Sequence, residues 1–498
     1  MVVNLSFTAK FFGVSIDRDN WVLALNCLLV IDLIIWGPIN ETFRAKFVLL
    51  KETIGQSEVF VKVRALLLVS LLTSVCIVGF MLLFPDLLAS VIAPKIGGVQ
   101  FKALVYMIML LVPSLLINQL TLIGTSILNA YEIFALPEIS GILSSLINLV
   151  FIFTLAPYIG IYSLVISYYL GLLLLLAMLV YQLQKKKIPI FNGYKKIKLS
   201  AFYPFFQYAL PFFLPYFFIQ INLLVEKSLA SMLGQGMVSI QDYSRKFIDI
   251  PNNVLTSVLL TILVPALSSN HAKEDNAGFI SSFQQIYRFG ILVVALLIAF
   301  MSVSGNQLIT LLLFHKGTIS NGDITHITQL TQYYSWTAIV HFFYIMYGLA
   351  LLSSNRGKIY AFFGVMAQII MIVINICFYA RLGLYTFPTS FIIAHTCSAI
   401  FMFVYFPGPH KPLYIITLKY LLLLALLVLS SVFFVHVLSS LFKTLNNYGV
   451  IISSTIIIIA TLIAFIYLFR LDERFVISRF ALYVTSQQNK SNCKIGKE

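Results

Sequence analysis

Charge is what this sequence has least of. Only 10% of its 498 residues are charged, and the acids are the scarcer sign, 18 Asp and Glu against 33 Lys and Arg. At 60% hydrophobic and a mean hydropathy of +0.95, the chain is excluded from the soluble globular class. Cysteine is sparse too: Cys27, Cys76, Cys377, Cys397 and Cys493 form no C-x-x-C or metal-ligand spacing and read as small apolar packing residues. The seven histidines are scattered, with no H-E-x-x-H and no triad-like grouping, and glycine-rich phosphate loops and Asp-rich metal loops are missing. No enzyme chemistry, metal or cofactor is therefore expected. The net charge of +15 does not call for nucleic acid, because the cations sit in short loops beside apolar runs, where anionic lipid accounts for them.

What the sequence has in abundance is membrane-length apolar segments such as ALLLVSLLTSVCIVGFMLLF. At about 20 apolar residues per span, thirteen helices are expected, near 21–42, 59–84, 101–128, 137–157, 161–183, 203–233, 238–267, 281–314, 328–353, 359–380, 385–406, 414–440 and 448–470. The fold class is all-α and polytopic.

An internal repeat organises these spans. FFGVSIDRDN at 11–20 resembles MLGQGMVSIQDY at 232–243, matching Gly13 to Gly236 and Asp19 to Asp242 at an offset of 223. Asn129 pairs with Asn355, Asn148 with Asn375 and Gly160 with Gly383, at offsets of 223 to 227. Two halves repeating in the same direction imply parallel bundles with a binding site between them. By the same offset the second copy carries a full helix before its glycine and the first does not, so a truncated first helix is expected.

The stretch with most chemistry is Asn222 to Pro265. Asp242, Arg245, Lys246, Asp249 and Asn253 recur at i, i+3, i+4, i+7 and i+11, one polar stripe on an otherwise apolar helix. A charge near the bilayer centre costs roughly 2.5–3.5 kcal/mol, so the stripe should face a wet cavity or a partner helix. Glu226 and Lys227 on the preceding helix are the expected neighbours. The plainer alternative is that Asp242 with Lys246, and Arg245 with Asp249, are i,i+4 ion pairs holding the helix in its bundle.

Lysine and arginine fall mostly on one side of the spans, at Arg44, Lys46, Lys51, Lys185, Lys186, Lys187, Lys195, Lys196, Lys198, Arg356, Lys358, Lys411, Arg470 and Arg474, which marks that side as cytoplasmic. Lys10, Arg18, Lys95, Lys102, Lys316, Arg381 and Lys443 are then external. The basic stretch QLQKKKIPIFNGYKKIKLS joins the halves and is expected to lie on anionic headgroups. Pro204, Pro211 and Pro215 crowd the next span, where they bend it as either a gate or a static kink.

The segment YSRKFIDIPNNVLTSVLLTILVPALS, with FFGVSIDRDNW, GPINETF, ILNAYEIFALPEISGILSSLINLVF and LLFHKGTISNGDI in the same order, resembles the MurJ (MviN-like) lipid II flippases of the multidrug/oligosaccharidyl-lipid/polysaccharide exporter superfamily. The resemblance implies a fourteen-helix fold, two six-helix lobes in a V with two extra C-terminal helices, and a cationic cavity for a lipid-linked pyrophosphoryl sugar. On this chain it implies an N-terminal lobe at 1–183, a basic cytoplasmic linker at 184–200, a C-terminal lobe at 201–406, and two further helices with a cytoplasmic tail at 407–498. The family's cavity arginine falls on Lys246, next to Arg245, and its acid at the start of the second helix on Asp19. Lys10 stands where the first helix ends in an arginine, and a paired arginine site falls on Ile31 and Asp32. The residues expected at the cavity are thus Lys246, Arg245, Asp249, Asp242, Glu226, Lys227, Lys10, Asp19 and Asp32.

The function expected is flipping of a lipid-linked cell-wall precursor across the bacterial cytoplasmic (inner) membrane by a monomer. The expected partners are that lipid-linked oligosaccharide, membrane lipids, and a coupling ion or the membrane potential. An O-antigen or capsule-unit flippase is the alternative. A cation-coupled drug exporter fits less well, since Arg245, Lys246 and Lys227 offset Asp32, Glu226 and Asp249, and a scaffold would need no polar stripe.

Overall fold

A computed structural model describes residues 2–131, 133, 135–190, 198–315, 318–437 and 446–469. Among the described residues every regular element is a helix. α1 (Val2–Phe12) turns through Gly13 into α2 (Ile16–Ile54), followed by α3 (Gln56–Leu83), α4 (Pro85–Ile92), α5 (Gly98–Leu111), α6 (Ser114–Ala130), α7 (Ala135–Ile159) and α8 (Tyr162–Lys185). After 191–197 come α9 (Tyr203–Ala209), α10 (Phe213–Met232), α11 (Met237–Ala272), α12 (Asn276–Leu313), α13 (Asn321–Ser335) and α14 (Thr337–Ser353). The chain ends in α15 (Gly357–Leu382), α16 (Thr386–Val404), α17 (His410–Val437) and α18 (Asn447–Leu468). Lys195, Lys196, Lys316, Lys443, Arg470, Arg474 and Cys493 lie outside the described residues.

Among the described residues eleven stretches are long and apolar enough to cross a membrane, and α5 with α6, bent by 42° beside Pro113, make a twelfth. The continuous stretch Gly357–Val404 is really two spans: the Ser398 hydroxyl donates to the Phe363 carbonyl at 3.0 Å, and Ala367 and Met371 pack against Ala394, so α15 and α16 run antiparallel. Divided in this way, the described residues hold thirteen stretches of spanning length, the number expected from hydropathy. The repeat is visible in the backbone as well. Gly13 and Gly236 both take positive φ, 54° and 80°, and Gly160 and Gly383 both sit at 57°. At Gly13 a Cβ would fall 1.9 Å from the Thr318 carbonyl oxygen, so only glycine fits that turn.

Two expectations change. α2 runs over 39 residues instead of ending near 42, and Arg44, Lys46 and Lys51 ride on its extension. The reason is packing: Phe43 and Phe47 are buried at helical spacing, and Phe43 stacks on Phe205 of α9 with centroids 5.1 Å apart. The span expected at 203–233 is kept as one apolar stretch, Leu199–Met232, but its helix is interrupted by a 3-10 turn at Leu210–Phe212 between α9 and α10. Pro204, Pro211 and Pro215 each fall in the first turn of one of these pieces, where a missing N–H costs least.

The chain forms two compact units. One comprises Met1–Phe247, Leu312–Leu330 and Ala361–Ser398. An apolar core in it joins Phe43, Phe47, Phe60, Ile127, Leu179 and Phe205 from α2, α3, α6, α8 and α9. The other comprises Ile248–Leu311, Thr331–Tyr360 and the chain from Ala399. Its centre is aromatic: the Tyr287 hydroxyl bonds those of Tyr347 at 2.8 Å and Thr417 at 2.7 Å, and Phe283 packs on Phe406, which fastens α17 to α12 and α14.

Candidate functional site

The first unit contains a cavity of about 350 Å³, lined by Asn4 and Thr8 of α1, Arg18 and Asn26 of α2, Asn148 of α7, Tyr168 of α8, Lys227 of α10, and Asp242 and Lys246 of α11. The ion pairs converge on one carboxylate. Asp242 meets Arg18 Nη2 at 2.8 Å, Lys246 Nζ at 2.8 Å and Lys227 Nζ at 3.7 Å. Lys227 also donates to Gln241 Oε1 at 3.0 Å, and the Arg18 guanidinium lies 3.7 Å from the centre of the Tyr243 ring. Arg18 Nε and Nη1 are buried without a hydrogen-bond partner among the described residues.

One residue along the chain, Asp19 faces a different environment. It is 2% exposed, and its oxygens accept from the Gly236 N–H at 2.6 Å, the Ser239 N–H at 2.7 Å and the Ser239 hydroxyl at 2.5 Å. Asp19 therefore caps the N-terminus of α11 from the other half of the repeat, where the helix dipole and unpaired N–H groups favour an anion. The Tyr243 hydroxyl donates to the Gly13 carbonyl at 3.2 Å, and Val14 packs where a Cβ on Gly236 would be, so the two turns of the repeat are clasped together.

Of the residues expected at the cavity, Lys246, Lys227 and Asp242 line it together. Glu226, 1% exposed, lies apart from the lining, bound by Arg245 and by Asn222 Nδ2 at 3.2 Å; Asn222 in turn accepts from Asn375 Nδ2 at 3.4 Å. Asp249 is half-buried and belongs to the other compact unit. Asp32 accepts from Asn118 Nδ2 at 2.8 Å and does not line the cavity. Lys10 is exposed, its Nζ over the rings of Phe11 at 5.6 Å and Phe153 at 5.8 Å, and is not brought to the site. One pair of the stripe's plainer reading is present as well, since Asp242 and Lys246 are an i,i+4 ion pair that at the same time faces the cavity.

Arg18 is the cavity residue that sequence reasoning placed elsewhere, in an external loop. The structure corrects this: Ser15 caps α2 by accepting from the Arg18 N–H at 3.3 Å, so Arg18 sits in the first turn of the helix and only 2% exposed. The repeat held the signal, because the offset of 223 sets Arg18 opposite Gln241, on the charged helix itself. Asn148 carried a repeat signal too, through its match to Asn375, but Asn4, Asn26 and Tyr168 had none, being single polar residues in apolar runs.

A profile of the family described as "Lipid II flippase MurJ" matches residues 8–468. This chain belongs to that family. Among curated relatives, the Lipid II flippase MurJ of Burkholderia cenocepacia is 26% identical over 185 residues, 36% of each chain. The probable lipid II flippase MurJ of Buchnera aphidicola subsp. Schizaphis graminum is 25% identical over 271 residues, 53% of this chain and 52% of that one. The aligned stretches thus span about a third and about a half of those MurJ relatives. In fold, the chain matches a structure described as lipid II flippase MurJ in an inward closed conformation, with a TM-score of 0.77 at 19% identity over 96% of both chains. It also matches an inward-facing multidrug resistance MATE family transporter, with a TM-score of 0.66 at 14% identity over 81% of this chain and 93% of that one. The MurJ fold is therefore shared along nearly the whole chain.

Proposed function

We propose that this protein flips a lipid-linked cell-wall precursor, a polyprenyl-pyrophosphoryl sugar of the lipid II class, across the bacterial cytoplasmic membrane by alternating access. The observation that carries the reading is the charge of the cavity in a chain of this family. Arg18, Lys227 and Lys246 face one carboxylate, Asp242, leaving two positive charges in excess. A pyrophosphate carries about −2 and offsets that excess, and the guanidinium of Arg18 suits phosphate oxygens. A cationic drug would meet the wrong sign.

In this reading the clasp of Asp19 on α11 closes the external end, by the side assignment from lysine and arginine. Outward opening requires the Asp19 oxygens to release Gly236 and Ser239, and an anionic headgroup that draws Arg18 away from Asp242 loosens the same helix ends. The lobes at 1–183 and 201–406, the linker at 184–200 and the helices at 407–498 are the bodies that would move. The protein acts alone, without catalytic groups or a cofactor, and draws on the membrane potential, an ion gradient or removal of product.

Complementation of a flippase-depleted bacterium tests this. Lys246→Ala and Arg18→Ala should insert in the membrane yet fail to support growth, while Lys246→Arg should be tolerated. Full growth with both alanine variants would return the stripe to a purely structural role.

A further inference from the structure

A second concavity, which shares no residue with the charged cavity, lies between α3, α6 and α8. It holds about 360 Å³ and is aliphatic, with Leu67, Leu68 and Leu71 from α3, Leu120 from α6, and Leu179 and Leu183 from α8. Gly124 of α6 leaves the space open: a Cβ there would already touch Leu179 Cδ1 at 3.4 Å. One end is closed by Ile190, and between Leu183 and Ile190 the chain carries Lys185, Lys186 and Lys187, all exposed. That basic turn is built, not trailing. The Ile188 N–H donates to the Leu183 carbonyl at 3.0 Å, Lys187 takes the left-handed conformation at φ 52°, and Arg64 of α3 donates through Nη2 to the Pro189 carbonyl at 3.2 Å. Arg64 is itself 7% exposed, and its Nε has no partner among the described residues.

An aliphatic slot ending at three exposed lysines and a buried arginine is complementary to an alkyl chain with an anionic head. We propose that this groove is a binding site for an anionic phospholipid, one acyl chain lying along Leu67, Leu71 and Leu179 and the phosphate resting on the Lys185–Lys187 turn. The volume, at the small end of ligand pockets, suits a single acyl chain better than a long polyprenyl. The lysines lie on the side assigned as cytoplasmic, where anionic lipid is concentrated. The basic stretch between the halves thereby gains a role beyond a diffuse attraction to headgroups: its first turn reads a lipid, and it is tied to α3 through Arg64.

The test is selective lipid retention by the full chain. The protein is reconstituted in vesicles of equal phosphatidylglycerol and phosphatidylcholine, extracted in mild detergent, and its retained lipids are quantified by mass spectrometry. Each lysine near an anionic surface is worth about fivefold in affinity. Phosphatidylglycerol should therefore be retained in preference, and changing Lys185, Lys186 and Lys187 together to Gln should reduce that preference at least about tenfold. Leu120→Phe, which fills the groove, should reduce retention of both lipids, and Leu71→Trp at its open edge repeats the test should the first variant unfold at a lower temperature than wild type. Equal retention of the two lipids by the wild type, or an unchanged preference in the lysine variant, would overturn the proposal. So would displacement of phosphatidylglycerol by polyprenyl phosphate at equal mole fraction, which would give the groove to a substrate tail.

Discussion

Asp19 and Asp242 occupy equivalent positions of the repeat, 223 residues apart, yet their surroundings have diverged. Asp19 is satisfied by the backbone and hydroxyl donors at the start of α11, whereas Asp242 is met by three cationic side chains. A carboxylate held by backbone donors fastens two helix ends and leaves nothing for a ligand to exchange with. A carboxylate held by side-chain cations can be relieved of them by a competing anion. The same acid, present at both repeat positions, thus fastens helix ends in one copy and gathers cations in the other.

The largest effect should come from breaking the second arrangement. Asp242→Ala leaves Arg18 and Lys227 buried beside Lys246 without their shared counter-charge, and removing one partner of a buried ion pair costs about 3–5 kcal/mol. A lowered unfolding temperature in detergent, with loss of complementation, is expected; an unchanged unfolding temperature would mean that water or lipid already screens the cluster. Asp19→Ala should cost less, about 2 kcal/mol as the loss of a helix cap, and should act on conformation. A cysteine introduced at Gln235, in the turn that Asp19 clasps, should then react faster with an impermeant thiol reagent added from outside, and an unaltered rate would separate Asp19 from closure. Asp32→Asn should do less again, since its Oδ2 contact with Asn118 is replaced by an amide contact and no cavity charge changes. Lys10→Ala should be the mildest, at most about 1 kcal/mol for an exposed cation over an aromatic ring; failure to complement would place Lys10 in the transport path.

Much of this was legible in the sequence. Hydropathy alone locates the spans, because a lipid-facing helix must be apolar over its whole length, and the paired glycines mark the turns because only glycine takes those φ values cheaply. The charged helix announced itself through Asp242 and Lys246. Two things were hidden. The length of α2 depends on Phe43 meeting Phe205 and Phe47 meeting Phe60, tertiary contacts that no local pattern encodes. The role of Arg18 depends on which turn of α2 it occupies: a residue just before an apolar run reads as a loop until the Ser15 cap shows that the helix has begun. Asp19 was singled out as a site residue, but the sequence carries no trace of the backbone donors that surround it.

The central claim is that the cations gathered around Asp242 take a pyrophosphate. Native mass spectrometry of the purified protein, wild type against Lys246→Ala, tests it most directly. A polyprenyl-pyrophosphoryl muropeptide bound to the wild type and depleted in the variant is the result expected. A polyprenyl-pyrophosphoryl glycan without peptide would keep the cavity chemistry but contradict the lipid II assignment, and a cationic amphiphile bound equally by both proteins would contradict the account as a whole.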